Sequence, residues 1–303
     1  MLTARARNCC SDNTSPSPII HHPLPITHHT SPRMTIQLDY NINDVRPYIN
    51  WIYFFHAWSM NGKPEEEKEK LRKDAETMLD DMSGRFRTHV LFAICRANSD
   101  GDDIVMDGIR LPMLRQQTTA GGRGPFLSLA DFVRPKSQGI EDKAGVFMAT
   151  TDRDMEKAGG DDPYSRMLAQ TLSDRLAEAT VEKMHLEVRK HYWGYAKDED
   201  LSIEDLLNER FTGIRPAVGY PSLPDTGINF IIHKMLGARR IGIRLTQSGM
   251  MIPHASVSGL MIAHPEARYF SIGKIGEDQL ADYASRRGIP VETARRFLMS
   301  NLI

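Results

Sequence analysis

THVLFAICRANSDGDDIVM, residues 88–106, opens with a run of apolar, aromatic and β-branched residues, passes through the turn residues SDGDD, and resumes an apolar pattern at IVM. Two adjacent strands joined by so short a turn must run antiparallel. On either side the chain alternates helical and strand-like segments without an internal repeat. Upstream, Pro64 takes a first helical position before EEEKEKLRKDAETMLDDM, where Leu71, Ala75, Met78 and Met82 fall at helical spacing and acids crowd the first turn. Downstream come a Gly-rich loop at AGGRGP, a short SLADFV segment and the apolar run AGVFMATT at 144–151. The longest helix is expected from Pro163 to about His191, with Met167, Leu168, Thr171, Leu172, Leu176, Ala179 and Met184 as its buried stripe and Gly194 as its stop. A shorter helix opens at Ser202, with Asp205 completing a capping box. A helix of about a dozen residues around INFIIHKMLGA follows, then strands at IGIRLTQ, SVSGLMIAH and RYFSIGKI, and two closing helices at EDQLADYASRRG and VETARRFLMSN. Strands and helices do not follow strict βαβ order, so the pattern favours an α+β fold with an antiparallel sheet over a Rossmann arrangement.

Composition narrows the function. A chain of 303 residues, 41% hydrophobic and 25% charged, has ample material for a core. Its formal charge of -1 argues against nucleic acid, which needs a surplus of Lys and Arg on one face. No run of about 18 apolar residues is present, which argues against a membrane span. Cys9, Cys10 and Cys95 form no disulfide framework, and a reducing cytoplasm fits best.

Residues 1–33 stand apart. They are crowded with Ser, Thr, Pro and His, lack periodicity, and read as a disordered tail, with the domain spanning 34–303. His21, His22, His28 and His29 suggest a metal tract, but the prolines among them break any fixed geometry and no acidic or thiolate ligand joins them. No apolar core follows the first arginines, so a signal peptide is not expected, and Met34 is the expected start of translation.

Generic catalytic motifs are missing. AGGRGP lacks the Lys-Ser/Thr ending of a phosphate loop, HASVSG at 254–259 lacks the spacing of a nucleophile elbow, and the His and Cys residues show no zinc spacing. His56, His185, His233 and His264 read as surface or satisfied core residues. RPAVGYPSLPD, residues 215–225, is different. Pro216 and Pro221 stiffen it, Gly219 permits positive φ or close approach, and the Arg215 guanidinium is a fork suited to a carboxylate. Such a loop suits a small amphoteric ligand; the alternative is a Pro-rich turn whose Arg pairs with a nearby acid.

The segments INWIYFFHAWSMNGK, LRQQT, LADFV, SDRLAEA with VRKHYWGYA, GIRPAVGYPSLPD, LTQSGMMIPHASVSGL and ARYFSIGKIGEDQLADYASRRG, in this order, resemble the activation domain of cobalamin-dependent methionine synthase. The resemblance covers residues 40–302. It implies a C-shaped α+β domain with a bent antiparallel sheet and flanking helices, binding S-adenosylmethionine in a shallow cleft. It implies a role in methionine biosynthesis: reductive remethylation of cob(II)alamin with the methyl of S-adenosylmethionine and an electron from flavodoxin or another reductase. In this chain it implies that Arg215 holds the ligand's carboxylate, that the backbone from Ala217 through Gly219 to Tyr220 receives the adenosyl portion, that Tyr269 and Phe270 contact the ligand, and that Glu178 lies near it. The ligand is a sulfonium with an amino-acid end, for which Arg, Glu and Tyr supply fitting partners.

The chain departs from the family pattern in places. Asn50 stands where the family places an aspartate for the ligand's ammonium, TGIN replaces a His-Thr-Glu-Lys run, and Gln247 replaces a glutamate. No DxHxxG cobalamin-ligating pattern is present in these residues. The expectation is therefore action in trans on a separate cobalamin-bearing methionine synthase, as an accessory methyltransferase component rather than a complete enzyme. A nonenzymatic binding or regulatory module of the same fold, or a reactivator of another corrinoid protein, is the alternative.

Overall fold

One long strand organises the sheet. The computed structural model describes residues 34–118 and 125–303, so the expected disorder of 1–33 and the AGGRGP loop lie outside the described residues. After β1 (Ile36–Asn41), α1 (Ile42–Val45), α2 (Trp51–Ala57) and α3 (Glu65–Met82), the spine β2 runs over Arg87–Asp100. It is followed by β3 (Asp103–Met106), β4 (Ile109–Pro112), β5 (Asp142–Thr151) and the long helix α4 (Pro163–Glu187). Then come α5 (Ile203–Leu207), α6 (Ile228–Leu236), β6 (Arg244–Leu245), β7 (Met251–Ile252), β8 (Ser256–Met261), α7 (Glu277–Arg287) and α8 (Val291–Phe297).

Every strand pairing in the main sheet is antiparallel, in the order β4-β3-β2-β5-β8. One edge of β2 is shared: β1 pairs with its first half, Ile36 opposite Phe92 through Asn41 opposite Arg87, and β3 with its end, Ala97 opposite Met106. The other edge pairs with β5 from Thr88 to Ala97. The sheet is thus curled rather than flat, and it is covered on both faces. Leu91, Ala93, Cys95, Val146, Met148 and Leu260 face a core closed by α6; Val90, Phe92, Phe147, Ala149 and Met261 face one closed by α3 and α4. Burial on both faces explains why AGVFMATT is continuously apolar instead of alternating. The fold is α+β, with a curled antiparallel sheet and flanking helices, as its sequence pattern predicts.

The helix expectations hold in outline. Leu71, Ala75, Leu79 and Met82 form the buried stripe of α3, and Ser202 with Asp205 forms the capping box of α5. The expected 163–191 helix is α4 plus a π turn over Val188–Tyr192, but Met167 is exposed and the buried face is broader, taking in Ala169, Ser173, Ala177, Thr180 and Val181. Helix α6 stops at nine residues because Gly237 adopts φ of 65°. Among the described residues no helix is long and apolar enough to cross a membrane.

Two strand expectations fail, each for its own reason. RYFSIGKI forms no strand, so Tyr269 and Phe270 lie in coil. The edge of β8 not paired with β5 is taken by residues 214–218: the Ile214 and Val218 N–H groups donate to the Ile262 and Ser258 carbonyls (both 2.9 Å), and the Ile262 and Leu260 N–H groups donate to the Ile214 and Pro216 carbonyls (2.9 and 3.0 Å). IGIRLTQ is reduced to β6, a two-residue ladder with β7, because Gly242 turns the chain before it.

Gly259 permits this docking. A Cβ there meets the Pro216 carbonyl oxygen at 2.3 Å and the Phe147 ring at 2.9 Å. Gly259→Ala is expected to destabilise by about 1–3 kcal/mol, read as a lower urea midpoint.

His89 on β2 bridges two acids, with Nδ1 2.6 Å from Asp39 Oδ1 and Nε2 3.0 Å from Asp152 Oδ1. Burial opposes its charge, but the bonds to Asp152 and Asp39 outweigh burial and raise its proton affinity. Since the folded-state value lies above the unfolded one, this stabilisation is full below the ordinary histidine range near pH 6.5 and is lost as pH rises through the folded value. Urea midpoints measured against pH are expected to fall over that alkaline window in the parent chain, and to flatten there in His89→Gln.

Candidate functional site

A cleft of about 650 Å³ opens where α4, the Asn50 turn, the end of α5, the RPAVGY loop and the 269–270 coil converge. Its walls bring together Asn50, Glu178, Arg215, Ala217, Tyr220, Tyr269 and Phe270, which lie up to 220 positions apart in the chain. Gly219 is not on the wall. It stands behind, with φ of 89° and its N–H donating to the Leu223 carbonyl at 2.8 Å, and so shapes the turn that presents Tyr220.

The Arg215 guanidinium is largely buried and pairs through Nη2 with Oε1 of Glu182, one turn beyond Glu178 on α4. The turn-and-acid alternative for this arginine therefore describes a real contact, and the acid itself lines the cleft. Two polar atoms of the pair, Arg215 Nε and Glu182 Oε2, are buried without a hydrogen-bond partner among the described residues. Buried polar groups left in this way are costly unless something satisfies them. The Arg215 backbone N–H donates to the Tyr269 hydroxyl at 3.1 Å. Burial pushes the proton affinity of Tyr269 up, against the pull of the Arg215 charge.

Tyr220 donates to Glu178 Oε1 at 3.1 Å. The Glu178 charge, then burial, push the Tyr220 hydroxyl up to about 12, so near neutral pH it remains a donor. Glu209 sits on the rim with φ of 57°, in the left-handed region, and burial raises its carboxyl. Phe270 lines the cleft and also packs against Phe132, with ring centroids 6.4 Å apart.

Asn50 is the N-cap of α2. Its Oδ1 accepts from the Ile52 N–H at 3.1 Å. That leaves its NH₂, a donor, as the polar group of the side chain without a partner among the described residues.

A buried relay supports the cleft from below. Arg189 Nε donates to Glu199 Oε2 at 2.8 Å, and Glu199 Oε1 accepts the Thr212 N–H at 2.9 Å, which holds the chain three residues before Arg215. Arg189 also donates to His185 Nδ1 at 3.0 Å; burial and the Arg189 charge keep His185 neutral by lowering its proton affinity far below the usual histidine value.

Sequence reasoning missed Arg175, Glu182, Tyr48, Tyr53 and Glu209. The first two had a signal: Arg175, Glu178 and Glu182 are spaced by three and four, one face of a helix. Among the described residues no group of His, Cys, Asp and Glu is placed to hold a metal ion.

The fold and this cleft define the class, a curled-sheet α+β domain with one wall formed by a Pro-Gly loop docked as an extra strand. The family model for the activation domain of vitamin B12 dependent methionine synthase matches residues 41–288. The chain is also similar to a crystal structure of the MetH reactivation domain bound to AdoHcy, at 36% identity and a TM-score of 0.83, over 90% of this chain and 91% of that one. This chain belongs to the activation-domain family of vitamin B12 dependent methionine synthase.

Proposed function

We propose that the cleft binds S-adenosylmethionine and supplies its methyl group for the reductive remethylation of cob(II)alamin carried by a separate methionine synthase module, an electron from flavodoxin or another reductase reducing the cobalt before the methyl is transferred. The observation that carries this reading is the convergence of Arg215, Glu178, Glu182, Tyr220 and Tyr269 on one ligand-sized cleft, in a chain 36% identical to a domain solved with AdoHcy, the product left when S-adenosylmethionine gives up its methyl.

The residues present fit the ligand. The buried guanidinium is a partner for its carboxylate, and the unpartnered Nε has a donor to give. Glu178 and the free oxygen of Glu182 supply negative charge for the sulfonium and ammonium. Ala217 lets the adenosyl portion lie close to backbone, and Tyr269 and Phe270 supply apolar wall. Restoring methylcobalamin from cob(II)alamin consumes one electron and the methyl of S-adenosylmethionine, leaving S-adenosylhomocysteine. The methyl donor is already activated by its sulfonium, so the chain's contribution is positioning and charge complementarity, with no general base.

The test is a calorimetric titration of S-adenosylmethionine into the full chain, with S-adenosylhomocysteine as competitor. Saturable binding of both to one site supports the reading; no heat from a folded chain overturns it. Asn50→Asp gives a further expected outcome. Aspartate keeps the cap on α2 and replaces a donor NH₂ by a charged acceptor, so affinity for the cationic ligand is expected to rise by about 1–2 kcal/mol, roughly 5- to 30-fold.

A further inference from the structure

A second cleft, of about 730 Å³, shares no lining residue with the first. It lies where the start of β2 and the end of β5 meet the turn after α6. Arg153, Arg239, Arg240 and Arg244 line it. All four are exposed, and none has an ion pair among the described residues. Most other arginines of the fold are paired: Arg46, Arg72, Arg110, Arg115, Arg189 and Arg286 each hold a carboxylate. The concentration of free guanidinium groups here is therefore a local property.

The acids of this cleft are too few to balance them. Asp39 and Asp152 are the carboxylates in its lining, and both are engaged by His89. Arg239 and Arg240 are carried on a single 3-10 turn bounded by Gly237 and Gly242, both at positive φ, and both line the cleft. Four arginines against two carboxylates leave this lining with a surplus of positive charge. Guanidinium forks match phosphate oxygens in pairs, and a concave site concentrates their field where a flat surface disperses it. Part of the lining is apolar, with Ile252 and Pro253 at its edge, which offers a surface to the carbon skeleton of a ligand.

We infer that this cleft is a binding site for a small diphosphate-bearing molecule, its phosphates on Arg153, Arg239, Arg240 and Arg244. A cavity of this size holds a molecule of nucleotide dimensions, whereas a flat basic patch suits an extended acidic surface. The site is independent of the methyl-donor cleft.

The test is calorimetric titration of the full chain at low salt with orthophosphate, pyrophosphate and ADP, repeated with Arg239→Gln/Arg240→Gln and with polyglutamate as a non-phosphate polyanion. Saturable binding of pyrophosphate or ADP is expected, with orthophosphate weaker and both diphosphates weakened at least about tenfold in the double variant. Urea midpoints of the double variant should match the parent, since neither guanidinium holds an ion-pair partner among the described residues. Equal affinity for pyrophosphate and ADP identifies the inorganic anion as sufficient; tighter ADP identifies an organic ester using the apolar edge. Absence of saturable binding by either diphosphate, binding that the double variant leaves unchanged, or binding of polyglutamate alone overturns the inference.

Discussion

Arg215→Ala is expected to weaken S-adenosylmethionine binding by about 2–4 kcal/mol, roughly 30- to 1,000-fold. The loss has two sources. The ligand's carboxylate gives up a charge-assisted partner, and Glu182 is left as a largely buried acid with no cation. The second source also lowers fold stability, so the single variant alone confuses the two. Adding Glu182→Gln separates them: the double variant Arg215→Ala/Glu182→Gln removes the stranded charge and should regain stability without regaining affinity. Arg215→Lys, which keeps charge but not the fork, should bind between the parent and Arg215→Ala. Calorimetry for binding and urea unfolding for stability read the two effects independently. Affinity that survives in Arg215→Ala would place the ligand's carboxylate elsewhere.

Asp225→Ala should be the most destabilising substitution in the loop, at about 3–5 kcal/mol. Asp225 ends the RPAVGYPSLPD stretch, is buried, accepts from two donors, the Gly227 N–H and the Tyr283 hydroxyl (both 2.6 Å), and is the ion-pair partner of Arg287, 3.2 Å from its Nη1. Arg287 is itself 6% exposed, so removing the carboxylate strands a buried cation. The same residue ties the loop to α7, and the cleft wall is therefore expected to loosen along with the fold. Tyr283→Phe removes one donor and leaves the ion pair, so its cost should be near 1 kcal/mol. Urea unfolding of the two variants side by side checks the ordering; equal costs would mean that the pair with Arg287 contributes little.

Much of the sheet was legible because its physics is local. THVLFAIC, AGVFMATT and SVSGLMIAH are runs that only a buried sheet can absorb, and SDGDD supplies the turn that fixes antiparallel pairing. Other pieces were not. Strand β4 follows an Asp107-Gly108 turn with both residues at positive φ, a hairpin signal that sequence reasoning passed over. RYFSIGKI has β composition, yet whether it forms a strand depends on which segment wins the edge of β8. That is a tertiary competition, decided by Pro216 accepting through its carbonyl and by Gly259 leaving room. The site divides in the same way. Arg215 and Tyr220 stood out because their loop is unusual, whereas Glu182 is an ordinary helical acid until the fold sets it against Arg215. Asn50 stands by resemblance at the position for the ligand's ammonium; it lines the cleft, and its carbonyl also caps α2, a role set by the local backbone.

The most direct test of the account supplies the chain in trans. Cob(II)alamin-loaded methionine synthase module, S-adenosylmethionine carrying a labelled methyl group, and a reductant are combined with and without this chain, and labelled methylcobalamin is measured. Label should reach the cobalamin when the parent chain is present and fail to do so with Arg215→Ala. If label transfer is the same without the chain, or is absent although the chain binds S-adenosylmethionine, the proposed role in reductive remethylation is contradicted.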